Sequence, residues 1–183
     1  SNADLTLVLA SRFKDDLVAL GWNPTLVQVT TTLYEAGEIM PSVKRAGQQP
    51  RFLFLGRISE LKGINELIDA AKILSEKGFD FEFLMVGLGA NKDDLIIYKK
   101  WIQKYGLENR FHFTGYLSGS DKYRAFADSD IYVFPSWTEG CPTSVLEALG
   151  AGLFVISTNV GALKEIIQED KNGKIVRLKD PEH

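Results

Sequence analysis

From Arg51 onward, short apolar runs alternate with longer segments in which apolar residues recur every three or four positions. Runs this short and unbroken are typical of strands that are buried on both faces. The predicted strands are FLFL (52–55), FEFLMV (81–86), FHF (111–113), IYVF (131–134), FVIS (154–157) and KIV (174–176). The predicted helices between them are INELIDAAKILSEKG, LIIYKKWIQKYG, DKYRAFADS, TSVLEALGAG and ALKEIIQE, with Gly78 and Gly106 at expected helix C-caps.

The alternation of strands and helices has a topological consequence. Strands that are each followed by a helix run parallel and are joined by right-handed crossovers. The pattern therefore predicts an α/β fold, a doubly wound parallel sheet of about six strands with helices on both faces. In such a sheet, ligands bind outside the carboxyl ends of the strands, so the loops that follow the strands should carry the chemistry.

Residues 4–50 follow this alternation less well. LTLVLA predicts a strand, SRFKDDLVALG a helix closed by Gly21, and VQVTTTLY a further strand. Segment 36–50 contains Gly and Pro but no periodic apolar face, which is typical of a loop or linker. We expect a domain boundary near Pro50 and a main domain over 51–183 that is truncated at its C-terminus. The opening SNA (1–3) is interpreted as a scar of tag cleavage.

The composition is that of a globular protein and argues against several other classes of protein. The 183 residues suffice for one domain plus a fragment of another, and 45% apolar with 25% charged residues is typical of a globular protein. A net charge of −3 argues against a nucleic-acid partner. A single cysteine, Cys141, excludes an internal disulfide and favours the cytoplasm. No apolar run approaches the roughly 18 residues of a transmembrane helix.

Two basic residues lie in GRISELKG, the loop after the first strand of the main domain. Arg57 and Lys62 are five positions apart at the predicted ligand edge. They are either solvated surface charges or a clamp on a diphosphate. The planar guanidinium and the compact ammonium both suit phosphate oxygens.

The loop PSWTEGCPTS offers a second candidate for anion binding. Pro142, Thr143 and Ser144 open a predicted helix, and a helix start attracts anions through its N–H groups and dipole. Glu139 and Glu147 flank this start. For Glu139 the alternative to a ligand contact is an exposed loop carboxylate. For Glu147 the alternative to a ligand contact is a capping box with Ser144. At this point the sequence favours neither the ligand contact nor the capping box.

Other motifs carry less chemistry. GLGAN supplies Gly87 and Gly89 of a dinucleotide fingerprint, but Lys92 occupies the third position, which argues against a nicotinamide or flavin site. His112 lies between two phenylalanines, so we expect a structural role for it. No Cys and His set has metal-ligand spacing and no Ser-His-Asp set can be assembled, so we expect no metal site.

Taken together, several loops carry a family resemblance. GRISELKG, VGLG, FTGYLS and PSWTEGCPTSVLEALGAGLFVISTNVGALKEII resemble, in this order, the carboxyl-terminal domain of the group 1 glycosyltransferases. These are retaining enzymes with two Rossmann-like domains that use a nucleotide-sugar donor. The resemblance covers about residues 50–178, with Phe154 standing where a proline is usual.

The resemblance implies a role for each matching residue. Arg57 and Lys62 match the basic pair on the donor diphosphate, and Glu139 matches the glutamate close to the transferred sugar. These three are the residues implied in catalysis. The residues implied to contact the donor are Gly56, Gly87, Tyr116, Leu117, Gly140, Cys141, Pro142, Thr143, Ser144 and Glu147. Among these, Glu147 is implied on the ribose hydroxyls and the loop of Tyr116 and Leu117 along the nucleobase.

The resemblance also implies what the chain lacks. Residues 4–30 resemble the last strand and helix of the amino-terminal domain, in which a serine such as Ser11 starts the helix. We therefore expect the donor-binding half of an enzyme that takes a UDP-, GDP- or ADP-sugar as co-substrate, without a tightly bound cofactor. The acceptor, a glycan or a lipid-linked glycan, would bind the missing amino-terminal domain, so this fragment alone should be inactive. The whole enzyme would be cytoplasmic or peripheral at the inner membrane face.

Two alternative functions remain open at this stage. One is a non-catalytic nucleotide-sugar-binding subunit, although every cationic and carboxylate position of the resemblance is filled. The other is a domain like that of a sugar-nucleotide epimerase, although the catalytic carboxylates and histidine of those enzymes are not found here.

Overall fold

The structure is a computed structural model that describes residues 4–32, 39–43 and 48–183. The predicted tag scar and parts of the predicted strand VQVTTTLY and of the predicted linker lie outside these residues. The described segments form two parallel sheets, one of two strands and one of six. The strands are β1 (Thr6–Val8), β2 (Val27–Val29), β3 (Arg51–Leu55), β4 (Glu82–Val86), β5 (Phe111–Gly115), β6 (Ile131–Phe134), β7 (Phe154–Thr158) and β8 (Gly173–Val176).

Helices connect the strands much as the sequence predicts. They are α1 (Ser11–Ala19), α2 (Ile64–Glu76), α3 (Asp94–Lys104), α4 (Gly119–Ala127), α5 (Thr143–Gly150) and α6 (Leu163–Ile166). Gly78 and Gly106 follow α2 and α3 with φ of 78° and 68°, the left-handed conformation expected just beyond a helix end. The prediction for ALKEIIQE was too long, because Ile167 is extended with ψ of 120° and ends α6.

The order of the large sheet is β5-β4-β3-β6-β7-β8, with all neighbours parallel. The chain runs outward from β3 to β5, then returns to β6 and runs outward on the other side. Right-handed crossovers therefore put α2 and α3 on one face and α4, α5 and α6 on the other. This confirms the predicted doubly wound α/β fold, and it places the reversal of strand order between β3 and β6.

Aromatic packing fixes the position of the strand ends. Phe52, Phe83 and Phe111 stack along one face of β3, β4 and β5, with ring centroids 4.9 Å apart in each neighbouring pair. Tyr132 is fully buried, and its hydroxyl donates to the carbonyl oxygen of Leu55 at 3.0 Å. This bond ties β6 to the last residue of β3, where the candidate site begins.

Candidate functional site

The loops after β3 and β6 are bound to each other at the point where the strand order reverses. Gly63, with φ of 72°, lies so close that a Cβ there would be 2.0 Å from the carbonyl oxygen of Pro135. The Ser136 hydroxyl and the Trp137 N–H both donate to the carbonyl oxygen of Leu61, at 3.2 and 2.9 Å. Doubly wound sheets bind ligands at such a reversal, so this is the expected place for the site.

A lysine and a glutamate form an ion pair across these two loops. The Lys62 ammonium donates to Oε1 of Glu139, which also accepts a hydrogen bond from the Ser136 hydroxyl at 2.7 Å. Ser136 is fully buried, and only 13% of the Glu139 side chain is exposed. The carboxylate is therefore held in one orientation, which excludes the alternative of an exposed loop carboxylate for Glu139.

A cavity of about 1000 Å³ opens beside this pair. Lys62, Glu139 and Arg57 lie on its wall. Arg57 is exposed, and its guanidinium has no hydrogen bond or ion pair within the part of the chain that the structure describes. Of these two cations on the cavity wall, Lys62 is paired with a carboxylate, whereas Arg57 has no such partner among the described residues.

The start of α5 faces the same cavity. Pro142, Thr143 and Ser144 contribute to the wall, and the N-cap residue is Pro142. Among the residues that the structure describes, no side chain caps this helix. The positive end of the α5 dipole therefore points at the same space as Arg57 and Lys62. The structure brings together on one cavity the four residues that are expected at the diphosphate, which are Arg57, Lys62, Thr143 and Ser144.

A second cavity of about 450 Å³ adjoins the first and shares Leu55, Gly56 and Arg57 with it. Its other lining residues are Val86 at the end of β4 and, from the loops after β4 and β5, Gly87, Leu88, Gly89, Tyr116 and Leu117. Gly87 has φ of 142°, and a Cβ there would lie 1.8 Å from the carbonyl oxygen of Gly56. Only glycine allows these two loops to approach so closely.

Glu147 does not form the capping box that its spacing from Ser144 suggests. Its Oε1 instead accepts a hydrogen bond at 2.7 Å from the ammonium of Lys122, which lies in α4. Glu147 is only 7% exposed, and within the described residues it borders neither cavity. Burial acts to lower the pKa of Lys122, but the hydrogen bond and charge of Glu147 outweigh it and hold this pKa above its ordinary value.

Gly140 and Cys141 lie at the contact with residues 4–32, and among the described residues neither borders the two cavities. Cys141 is buried against Ala10 and Ala162. The carbonyl oxygen of Gly140 accepts a hydrogen bond from the Ala162 N–H at 2.8 Å. A Cβ on Gly140 would meet the Leu9 side chain at 3.2 Å. This turn therefore connects the candidate site to the smaller sheet.

Sequence reasoning missed several residues of the site. Ser136 is not among the predicted site residues, although a serine just after a buried strand can bond a neighbouring loop. Tyr98 is 6% exposed and lies on the wall of the larger cavity. Burial, with the nearby charge of Asp94 as a smaller cause, raises the pKa of Tyr98 to about 12. For Lys122 the helical spacing offers a clue. It lies three residues before the buried Ala125, and this spacing places it on the packed face of its helix.

The described residues contain no candidate for a membrane span and none for a metal site. None of the helices there combines the length and the apolar character that crossing a bilayer requires. Across the same ranges, no three His, Cys, Asp or Glu side chains are grouped so that they could hold a metal ion.

Comparison with known proteins gives the family. The family profile described as "Glycosyl transferases group 1" matches residues 36–183. The chain is 28% identical over 177 residues to the amylovoran biosynthesis glycosyltransferase AmsK of Erwinia amylovora, covering 93% of this chain and 43% of that protein. It is also 28% identical over 190 residues to the sulfoquinovosyl transferase SQD2 of Arabidopsis thaliana, covering 98% of this chain and 35% of that protein. The chain thus spans less than half the length of these relatives.

Solved structures share the fold of this chain. Anabaena HepE in complex with UDP superposes with a TM-score of 0.85 at 19% identity, covering 98% of this chain and 51% of that one. The carboxyl-terminal domain of LpcC, a group 1 glycosyl transferase of Francisella tularensis, gives a TM-score of 0.70 at 28% identity. The match covers 81% of this chain and 82% of that domain. Since the family profile spans most of the chain, the chain belongs to the group 1 glycosyl transferases.

Proposed function

We propose that this chain binds the nucleoside-diphosphate-sugar donor of a glycosyltransferase. The observation that carries the proposal is the convergence of Arg57, Lys62 and the start of α5 on one cavity at the strand reversal. Two cations and a helix dipole suit the two phosphate groups of a nucleoside diphosphate.

These groups also suit the chemistry of sugar transfer. Negative charge grows on the diphosphate as it leaves, and fixed cations and dipoles that face it lower the barrier. Arg57 and Lys62 would hold the leaving group. Glu139 is bonded to Lys62 and would therefore lie next to the transferred sugar, where its carboxylate can accept a hydrogen bond from a sugar hydroxyl.

The smaller cavity would take the nucleobase. Leu88, Tyr116 and Leu117 supply apolar and aromatic surface, and the close approach of Gly56 and Gly87 leaves backbone groups on the wall. A flat base can stack on such surface while its edge bonds the backbone. HepE was solved with UDP and with UDP-glucose, so UDP is the first nucleotide to test.

We assign the domains as the sequence predicts. Residues 51–183 would form the nucleotide-sugar-binding domain, and residues 4–50 the end of a second domain with a linker. The separate two-stranded sheet of β1 and β2 supports this division. The whole protein would transfer a hexosyl-type sugar, with retention at the anomeric carbon, to a glycan or lipid-linked acceptor that binds the second domain. The anomeric configuration of its product, read by NMR, tests the retention.

Isothermal titration calorimetry with UDP, GDP and ADP tests the proposal. We expect at least one nucleotide to bind, and Arg57→Ala to weaken that nucleotide's affinity by about tenfold, the worth of a hydrogen bond to a charged group. Arg110→Ala is the matched control, because Arg110 pairs with Asp80 and does not line either cavity. The proposal fails if none of the three binds, or if Arg57→Ala binds as tightly as the wild type.

A further inference from the structure

The wall of the larger cavity has two halves that differ in chemistry. One half carries Arg57, Lys62 and the start of α5, and the proposed function assigns it to the donor. The other half, called the α3 half below, is lined by Asn65, Asn91, Asp94, Ile97, Tyr98 and Trp101. None of these six residues is a cation, and the carboxylate of Asp94 repels a phosphate. The α3 half therefore suits an uncharged polar ligand.

Tyr98 brings an unpaired hydroxyl to the α3 half. The residue is 6% exposed, and its hydroxyl makes no hydrogen bond within the described ranges. Of the described residues, only Glu66 and Trp137 carry a fully buried side-chain polar atom without a partner, so the Tyr98 oxygen is accessible from the cavity. Burial, with the charge of Asp94 as a smaller cause, raises the pKa of Tyr98 to about 12, so the hydroxyl keeps its proton and can donate. A polar group in this position is stabilised when a ligand bonds it.

The polar side chains around Tyr98 add both acceptors and donors. Oδ2 of Asp94 accepts a hydrogen bond from the Asn91 N–H at 2.8 Å, which holds this carboxylate at the start of α3. The side chain of Asn65, on α2, makes no hydrogen bond to the part of the chain that the structure describes. A carboxylate accepts, whereas an amide both donates and accepts. Hydroxyl groups match this mixture, because each of them is a donor and an acceptor.

An apolar strip lies beside these polar groups. Ile97 and Trp101 are four residues apart on α3, so their side chains are neighbours on the face of the helix that borders the cavity. Ile97 is 57% exposed and Trp101 is half-buried. The electron-rich face of an indole packs well against C–H groups. The combination suits a ligand with C–H groups on one face and hydroxyls around its rim, which describes a sugar ring.

We propose that the α3 half of the larger cavity binds an uncharged sugar residue of the acceptor glycan. The inference rests on the proposed function, and it adds a contact in this domain to the binding of the acceptor by the second domain. The donor leaves the α3 half free, because its base occupies the smaller cavity and its phosphates lie at Arg57, Lys62 and the start of α5. A volume of about 1000 Å³ is at the upper end of the range for one small ligand, so the cavity has room for a second sugar.

Free sugars added to the ¹⁵N-labelled chain, saturated with whichever of UDP, GDP and ADP binds most tightly, test the inference. The probes are methyl α-D-glucopyranoside, methyl β-D-galactopyranoside and N-acetylglucosamine. Each is titrated to about 50 mM, since a single ring held by a few groups should have a Kd in the millimolar range. At least one sugar should shift the indole N–H signal of Trp101 and the backbone amides of Asn91 and Asp94. The indole signal of Trp22, which borders neither cavity, should not move.

Tyr98→Phe should weaken the binding of that sugar by about fivefold relative to the binding of the nucleotide, because it removes one hydroxyl and keeps the ring. Tyr105→Phe is the matched control. Tyr105 lies just after the same helix, but its hydroxyl donates to Asp69 at 3.1 Å and it borders neither cavity, so this variant should keep the wild-type affinity for the sugar. If Tyr98→Phe does not fold, Asn65→Ala decides the question, because alanine is favourable in a helix and the change removes one amide from the α3 half.

The outcomes separate this inference from the proposed function. Nucleotide binding without any sugar-dependent shift of the Trp101, Asn91 and Asp94 signals overturns the inference alone, as does an equal sugar affinity in Tyr98→Phe and Tyr105→Phe. If none of the three nucleotides binds, the proposed function is overturned and the acceptor assignment with it. If Tyr98→Phe weakens UDP-glucose relative to UDP but leaves the free sugars unaffected, the α3 half holds the sugar of the donor and the acceptor assignment is wrong.

Discussion

Lys62 and Glu139 form an ion pair that crosses the strand reversal, with the lysine in the loop after β3 and the glutamate in the loop after β6. The two loops are fixed by backbone bonds and by the buried Ser136. The pair therefore sits on a rigid support, and its geometry is set before a ligand arrives. Such preorganisation is what electrostatic stabilisation of a leaving group requires.

The two members of this pair should respond differently to mutation. Lys62→Met should weaken nucleoside diphosphate binding by about tenfold or more, because it removes a charge-assisted hydrogen bond to phosphate. Glu139→Gln should leave nucleoside diphosphate affinity close to that of the wild type but weaken binding of the intact nucleotide sugar. Calorimetry with both ligands measures this, with Lys174→Met as the control for loss of an exposed lysine. Equal losses for both ligands in Glu139→Gln would contradict the assignment of Glu139 to the sugar.

Gly87→Ala should destabilise the protein, because it disrupts the close contact between the loops after β3 and β4 where the two cavities adjoin. The new Cβ would lie 1.8 Å from the Gly56 carbonyl oxygen, and φ of 142° is unfavourable for alanine. We expect a loss of about 3 kcal/mol in the free energy of unfolding, measured in urea. Gly78→Ala is the control, since φ there is 78° but no heavy atom lies within 4 Å of the Cβ, and it should cost only about 1 kcal/mol. Similar costs for the two would show that the close approach at Gly87 is wrong.

Tyr98 should make the protein sensitive to alkali. Its pKa is raised from 10.0 to about 12, mainly by burial, so the folded state binds this proton more tightly than the unfolded state does. The resulting stabilisation is present below pH 10.0 and is lost as the pH rises toward about 12. Tyr98→Phe does not titrate and should therefore lose less stability over this window than the wild type. Urea unfolding at several alkaline pH values measures the difference. The control is the exposed Tyr116→Phe, whose pH profile should follow that of the wild type.

Glu165 should hold the smaller sheet to the larger domain through the start of α1. Its two oxygens accept hydrogen bonds from the N–H and the hydroxyl of Ser11, at 2.8 and 2.9 Å. The double-mutant cycle of Ser11→Ala and Glu165→Gln should give a coupling of about 0.5–1 kcal/mol in unfolding free energy, modest because both groups are exposed. Glu108→Gln, an exposed glutamate elsewhere, should show no coupling to Ser11→Ala. Additive effects of the first pair would rule out the bond.

The sequence predicts the fold well because each element depends mostly on local pattern. An unbroken apolar run such as IYVF has few stable conformations other than a buried strand. The end of α6 was harder, because the apolar spacing continues through Ile167 while the backbone becomes extended there. Helix ends depend on tertiary contacts that periodicity does not contain.

The sequence predicts which residues belong to the candidate site, but it does not predict which of them contact each other. Lys62 and Glu139 could each be named from a loop, yet their contact joins residues 77 positions apart and follows only from the strand order. The capping box for Glu147 failed for a similar reason. Spacing within one helix suggested a local partner, whereas the observed partner, Lys122, comes from the preceding helix.

The position of a bound nucleoside diphosphate tests the central claim most directly. We propose a titration of the ¹⁵N-labelled chain, followed by NMR of the backbone amides, with whichever of UDP, GDP and ADP binds most tightly. The largest shifts should fall on Gly56, Gly87, Thr143 and Ser144, which border the two cavities. Shifts confined to residues away from the reversal between β3 and β6, with these four amides unchanged, would contradict the account.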